Sequence, residues 1–307
     1  MNQSPTAEDL VASLVRLLTV QPDIGSAPES ADPDHFTGDP QIGGVGRVFG
    51  GQVIAQALQA AQRSVPEEKV AHSLHAYFLR GGQEGPAIDY SIARDFDGRS
   101  FANRRVVASQ NGTPILNLTA SFQKPESGLE HQEFPMPDVT GPEELKSDME
   151  QRQTFLDMIP NVTEDQRRMV LRPRPIEMRT VEPLHWMNKE PRQARTHTWV
   201  RTVAPLPDDP ALHRAVIAYA SDLTLLGNSI LPHGLSMMRE EVNVISLDHV
   251  VWYHSPARAD DWLLHVTDSP WTGGGRGFNR GSLYTRDGTL VASIAQEGVV
   301  RRRIKRD

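Results

Sequence analysis

Arg99–Gln123 reads RSFANRRVVASQNGTPILNLTASFQ, and Arg276–Gln296 reads RGFNRGSLYTRDGTLVASIAQ. Each stretch opens with Arg, a small residue and Phe. Each crosses a turn signal, Asn111-Gly112 or Asp287-Gly288, and each returns through an apolar run that ends in glutamine. Asn-Gly and Asp-Gly between alternating apolar stretches are strong hairpin signals, because they tolerate the positive φ that tight turns demand. One hairpin written twice predicts a duplicated fold. A polar residue at the end of an apolar strand marks a candidate position for chemistry.

The flanking sequence repeats the same order. In the first half, Gly43-Gly44, Gly46 and Gly50-Gly51 precede a helix over Gln52–Arg63, which Val65-Pro66 ends. Strands follow at Val70–Leu79 and Ile88–Arg94, before the hairpin. In the second half, strand-like Glu177–Val181 and His197–Val203 precede a helix over Leu212–Leu226. Val242–Tyr253 and Trp262–Ser269 then lead to a hairpin of Phe278–Tyr284 and Leu290–Val299. The repeat aligns Val53–Ala57 with Val216–Ala220, His75 with His249, Phe101 with Phe278, and Gln123 with Gln296. Each unit packs one helix on one antiparallel sheet face, an α+β, two-layer solution. The expected division is an N-terminal helix and loop at 1–34, with an apolar stripe in Ala7–Leu18, and a first domain at 35–125. A Pro- and Glu-rich linker at 126–175 has one helical piece near Leu145–Ile159, and a second domain spans 176–307.

The chain has 307 residues, 38% of them hydrophobic, which suits two domains. A net charge of -7 argues against nucleic acid as a partner. The absence of cysteine excludes disulfides, thiolate catalysis and Cys-ligated metals. Histidines lack metal-binding spacing, and the Gly43–Gly51 cluster lacks the Lys and Ser/Thr of a phosphate loop. No metal or cofactor is therefore expected. There is no apolar run of about 18 residues or more, so no stable membrane insertion is expected. The N-terminus has no basic region before an apolar core, so a cytoplasmic location is expected.

Three side chains could carry chemistry. Asp222 lies in the apolar run AVIAYASDLTLL, where a carboxylate must be hydrogen-bonded or paired. It reads either as a polar group at a helix boundary or as a general base. Its counterpart under the repeat is Gln59, which cannot be a base. Gln296 shares a strand face with Ala292 and Ile294, and its amide either satisfies a sheet edge or holds a water or ligand carbonyl. Ser246 precedes a strand. No G-x-S-x-G elbow exists, so an acyl-serine mechanism has no sequence support.

The strings RVFGGQVIAQALQAA, HSLHAYFLRGG, SFANRRVVASQNG, TASFQ, YASDLTLL, SLDHVVWYH and GFNRGSLYTRDGTLVASIAQEG together resemble the acyl-CoA thioesterase II family over residues 35–303. The resemblance implies a double hotdog, two fused units each with a long helix wrapped by an antiparallel sheet. It implies hydrolysis of fatty acyl-CoA to acid and CoA, an apolar acyl slot between helix and sheet of the second half lined by Leu225, Leu226, Ile230 and Trp252, contacts to the CoA phosphates from Arg276 and Arg280, and a homodimer or homotetramer. The family's catalytic aspartate falls on Asp222 and its glutamine on Gln296. Its hydroxyl residue, usually Thr, falls on Ser246. Leu226-Gly227 stands where the family commonly has Leu-Pro. Two other classes stay open at this point. One is a hotdog hydratase-dehydratase, with His249 beside Asp248 as its acid–base pair. The other is a non-catalytic acyl-CoA-binding module.

Overall fold

The computed structural model describes residues 5–23, 34–40, 46–183, 190–236 and 242–303, and the Gly43-Gly44 pair lies outside them. The first half runs α1 (Ala7–Leu18), β1 (Val20–Pro22), β2 (His35–Gly38), α2 (Gly50–Arg63), β3 (Val70–Phe78), β4 (Ile88–Asp97), β5 (Phe101–Gln110) and β6 (Thr113–Gln123). The connecting segment carries α3 (Asp148–Met158) and α4 (Glu164–Val170). The second half runs β7 (Ile176–Thr180), β8 (Arg195–Thr202), α5 (Pro210–Ser221), β9 (Val242–Ser246), β10 (Asp248–Tyr253), β11 (Leu263–Gly273), β12 (Arg276–Thr285) and β13 (Leu290–Arg302).

Local chemistry sets these elements. Thr6 and Asp9 form a capping box that starts α1, which buries Val11, Leu14 and Leu18. Asp209 caps α5, and Pro210 occupies its first turn. Asn111 and Gly112 both take positive φ, 50° and 74°, so the β5–β6 hairpin turns on the pair that its sequence signals.

All strand pairings are antiparallel, in one sheet of order β1-β2-β4-β5-β6-β3-β10-β13-β12-β11-β8-β7, with β9 also on β13. The halves join at β3–β10, where Leu74 faces Val251 and Ser73 faces Trp252. Helices α2 and α5 pack on this sheet and on each other around a continuous core. This is the double hotdog architecture. Among the described residues of the N-terminal segment, α1 packs against α2 and β1 pairs with β2. No described helix is long and apolar enough to cross a membrane.

The repeat differs from its sequence alignment by one strand residue. Phe101 faces Gln123 across β5–β6, whereas Phe278 faces Glu297 across β12–β13. Gln123 thus corresponds to Glu297, and the counterpart of Gln296 is the fully buried Phe122. Side chains alternate along a strand, so a one-residue offset moves a glutamine from the outer face to the helix-facing one. Gln123 instead bonds exposed Glu126. The helix alignment shifts as well. Ser64 at the end of α2 and Ser221 at the end of α5 each donate to the carbonyl three residues back, of Ala61 and Ala218. Matched by their C-caps, the helix ends place Ser64, not Gln59, opposite Asp222.

Candidate active site

Asp222 is not inside a helix. Helix α5 ends at Ser221, Asp222 is its C-cap, and Leu225–His233 continues as a 3-10 segment. A carboxylate at this end faces the negative pole of its own helix. Its side chain is only 5% exposed. Gln296 Nε2 donates to Asp222 Oδ1 at 2.7 Å. Burial pushes the Asp222 pKa up to about 6, while the Gln296 amide and the backbone N–H of Gly51 pull the other way.

Gln296 gathers the site. Its amide nitrogen also donates to Ser246 Oγ at 3.2 Å. The two N–H bonds of one amide thereby serve Asp222 and Ser246 together. Ser246 reaches this point because β9 and β10 break at Leu247, whose carbonyl accepts from Phe78 N–H of the first half. The structure therefore brings Asp222, Gln296 and Ser246 together, from the end of α5, from β13 and from β9.

His249 lies beneath them. It is buried, with Nε2 2.8 Å from Ser221 Oγ and Nδ1 3.8 Å from Asp222 Oδ1. Burial, with neighbouring His265 acting the same way and Gln296 opposing, lowers its pKa to about 3. A neutral imidazole makes no ion pair, so the 3.8 Å contact is not a salt bridge near neutral pH. Asp248 does not pair with it. Adjacent strand residues face opposite sides, and Asp248 Oδ1 accepts from Glu297 N–H at 2.7 Å. The acid–base pair wanted by a hydratase is absent at these two residues.

The first half contributes what sequence reading missed. The N-terminus of α2 abuts the C-terminus of α5, with Gly50 and Gly51 at the contact. A Cβ on Gly50 would lie 2.8 Å from Asp222 Oδ2, and one on Gly51 would lie 2.6 Å from the Tyr219 carbonyl oxygen. Phe49 meets Tyr219 edge-on at 5.0 Å between ring centres. The signal for this contact was the Gly50-Gly51 pair at a helix start, which marks close backbone approach.

A cavity of about 330 Å³ opens at Asp222. Of the residues expected to line an apolar slot, Leu226 does so, together with Leu223, Leu231 and Met178. Leu225 and Ile230 are fully buried and do not line it. Trp252 is a correction. It is 38% exposed on the outer sheet face, edge-on to His75, and its neighbours Val251 and Tyr253 face inward. Arg276 and Arg280 are corrections for the same reason of strand parity. They lie outside, where Arg276 bonds Glu297 and Arg280 grips Asp268 with two bonds of 2.9 Å. Trp252→Ala and Arg280→Ala are therefore expected to leave kcat/KM within about twofold of the parent, as for exposed substitutions away from a site. Steady-state thioester assays check this, and a tenfold loss in either variant would return that residue to the site.

Comparison with known proteins agrees with this architecture. A family model described as acyl-CoA thioesterase matches residues 175–299, and one described as acyl-CoA thioesterase N-terminal domain matches 39–123. The chain is 34% identical to acyl-CoA thioesterase 2 of Haemophilus influenzae over 95% of this chain and 98% of that protein. It is 38% identical to human acyl-coenzyme A thioesterase 8 over 89% and 86% of the two chains. The crystal structure of an acyl-CoA thioesterase II from Mycobacterium marinum superposes with a TM-score of 0.73 at 34% identity, covering 94% of this chain and 98% of that one. With both halves matched in order around one helix–sheet scaffold, this chain belongs to the acyl-CoA thioesterase family.

Proposed function

We propose that this chain hydrolyses fatty acyl-CoA to the free acid and CoA by direct attack of a water held by Asp222, Gln296 and Ser246. The observation that carries this reading is the single amide of Gln296 donating to both Asp222 and Ser246 beside a cavity walled in part by Leu223, Leu226 and Leu231. Such an amide holds the carboxylate and the hydroxyl in one fixed arrangement, and positioning of this kind lowers the barrier by several kcal/mol. Asp222 takes a proton from the water as the water oxygen bonds to the thioester carbon. The C–S bond then breaks, the electron pair leaves with sulfur, and the proton on Asp222 is available to the departing thiolate. A carboxylate of pKa about 6 is a stronger base than an ordinary one and is still mostly ionised at pH 7. The oxyanion meets the positive end of α2, whose Gly51 N–H already bonds Asp222 and whose N-cap Phe49 adds no side-chain cap.

A single turnover in ¹⁸O-water tests the route. Direct attack places the label in the acid product of the first turnover. An unlabelled first product, with label in Asp222, would show an anhydride and reject the proposal. The same reading sets a pH dependence. Activity needs ionised Asp222, so kcat/KM is expected to rise with pH through a midpoint near 6. Gln296→Ala removes a bond that favours the charged form, so the midpoint moves upward as activity falls. A profile unchanged by that substitution would detach Gln296 from the base.

A further inference from the structure

The cavity at Asp222 has a cationic wall that water attack does not use. Arg152, Arg174 and Arg192 line it, against Asp148 as the one acidic lining residue besides Asp222 among the described residues. Arg152 comes from α3, in the segment between the two halves. It is 9% exposed, and its Nη2 pairs with Asp148 four residues earlier. Its Nη1 is buried with no hydrogen-bond partner among the described residues, and the same holds for Nη1 of Arg192. The carboxylate nearest in influence to Arg192 is Glu182, which is already engaged by the backbone N–H and ring of His197 at 2.8 and 2.5 Å.

Leaving a buried charged donor unmade is costly, and a guanidinium does not escape by losing its proton. Two such donors on one cavity wall are explained if an anion completes them. Guanidinium forks match carboxylate and phosphate oxygens in two-bond geometry, and these pairs are stronger than neutral hydrogen bonds. The chain is acidic overall, with net charge -7, so a cluster of three arginines in this cavity is a local reversal of sign.

We propose that Arg152, Arg174 and Arg192 form an anion subsite that binds a phosphate or carboxylate group carried by the thioester substrate itself. The proposal rests on the thioesterase reading and adds substrate selection to it. Such an anion has two sources. It is a phosphate of the coenzyme, or a carboxylate at the far end of the acyl chain. In either case the α3 segment is part of substrate recognition and not a passive connector.

The test compares the parent protein with Arg192→Met and with the double variant Asp148→Asn/Arg152→Met, which leaves no unpaired acid behind. Four substrates separate the sources: dodecanoyl and ω-carboxydodecanoyl groups, each on CoA and on pantetheine, which lacks phosphate. If the subsite holds a coenzyme phosphate, both variants lose about tenfold or more in kcat/KM on the CoA thioesters relative to the pantetheine ones. If it holds a chain carboxylate, the parent prefers the ω-carboxy substrates on both carriers, and that preference collapses in the variants. Equal change on all four substrates, or none, overturns the proposal. Calorimetric binding of non-hydrolysable thioether analogues of the same four compounds needs no turnover. A parent that binds them with the selectivity above but hydrolyses nothing would sink the thioesterase reading and keep the subsite.

Discussion

Asp222→Asn is expected to lower kcat by about a thousandfold, within the usual range for loss of a general base, while making the folded protein more stable at pH 8. The first effect follows from the position of Asp222, bonded to Gln296 and next to Ser246 on the cavity. The second follows from its raised pKa. A buried carboxyl with a folded-state pKa of about 6 against a model value of 3.8 holds its proton more tightly when folded. Its favourable contribution is complete below pH 3.8 and is lost as pH rises through about 6. Above that range, ionising it inside the protein costs about 3 kcal/mol. Asparagine carries no such cost and keeps an oxygen for Gln296, so denaturant unfolding at pH 8 should favour the variant by about 1–3 kcal/mol. The advantage should fade toward pH 4. Near-parental turnover would remove Asp222 from the mechanism. An equal stability difference at both pH values would show that its charge is not what the fold resists.

Gly51→Ala is expected to be the most damaging added methyl among the described glycines. The added carbon would stand 2.6 Å from the Tyr219 carbonyl oxygen and 2.5 Å from the Phe49 ring. The ring can turn, but the carbonyl is backbone of α5 and cannot yield without moving the helix. Overpacking of this kind costs about 1–3 kcal/mol. Parting α2 from α5 also withdraws the Gly51 N–H from Asp222 and shifts the first turn of α2 away from the reacting carbon. A displacement of this size is expected to cost about a hundredfold in kcat. Thermal unfolding and active-site-normalised turnover check the two effects separately. Loss of stability with unchanged turnover in the folded fraction would show that the helix contact is structural only.

What could be read from the residues depended on distance along the chain. The hairpins were legible because Asn111-Gly112 acts locally, through positive φ at two adjacent residues. Asp222 was legible as a type of residue, a carboxylate among apolar neighbours. Its place at the end of α5 was not, because helical periodicity runs on through Leu226 while the backbone tightens to 3-10 after Thr224. Strand parity was the weakest point. The period is two, so one residue of misregister exchanged Gln123 for Phe122, and the observed register places Trp252, Arg276 and Arg280 on the outer face. The arginines also looked free in the sequence because their partners, Glu297 and Asp268, lie across strands.

By itself the sequence determined the duplication, the two hairpins, the α+β layering and two polar residues, Asp222 and Gln296, set in apolar surroundings. Each of these follows from local backbone preference or from the cost of burying a polar group. Only the tertiary structure decided that the first half carries Ser64 and Phe122 where the second carries Asp222 and Gln296. It alone showed that the Gly51 N–H of the first half bonds Asp222 of the second. Those facts depend on which residues meet across two packed helices and one continuous sheet. Contacts of that kind are set by the closing of the whole core, which no local pattern encodes.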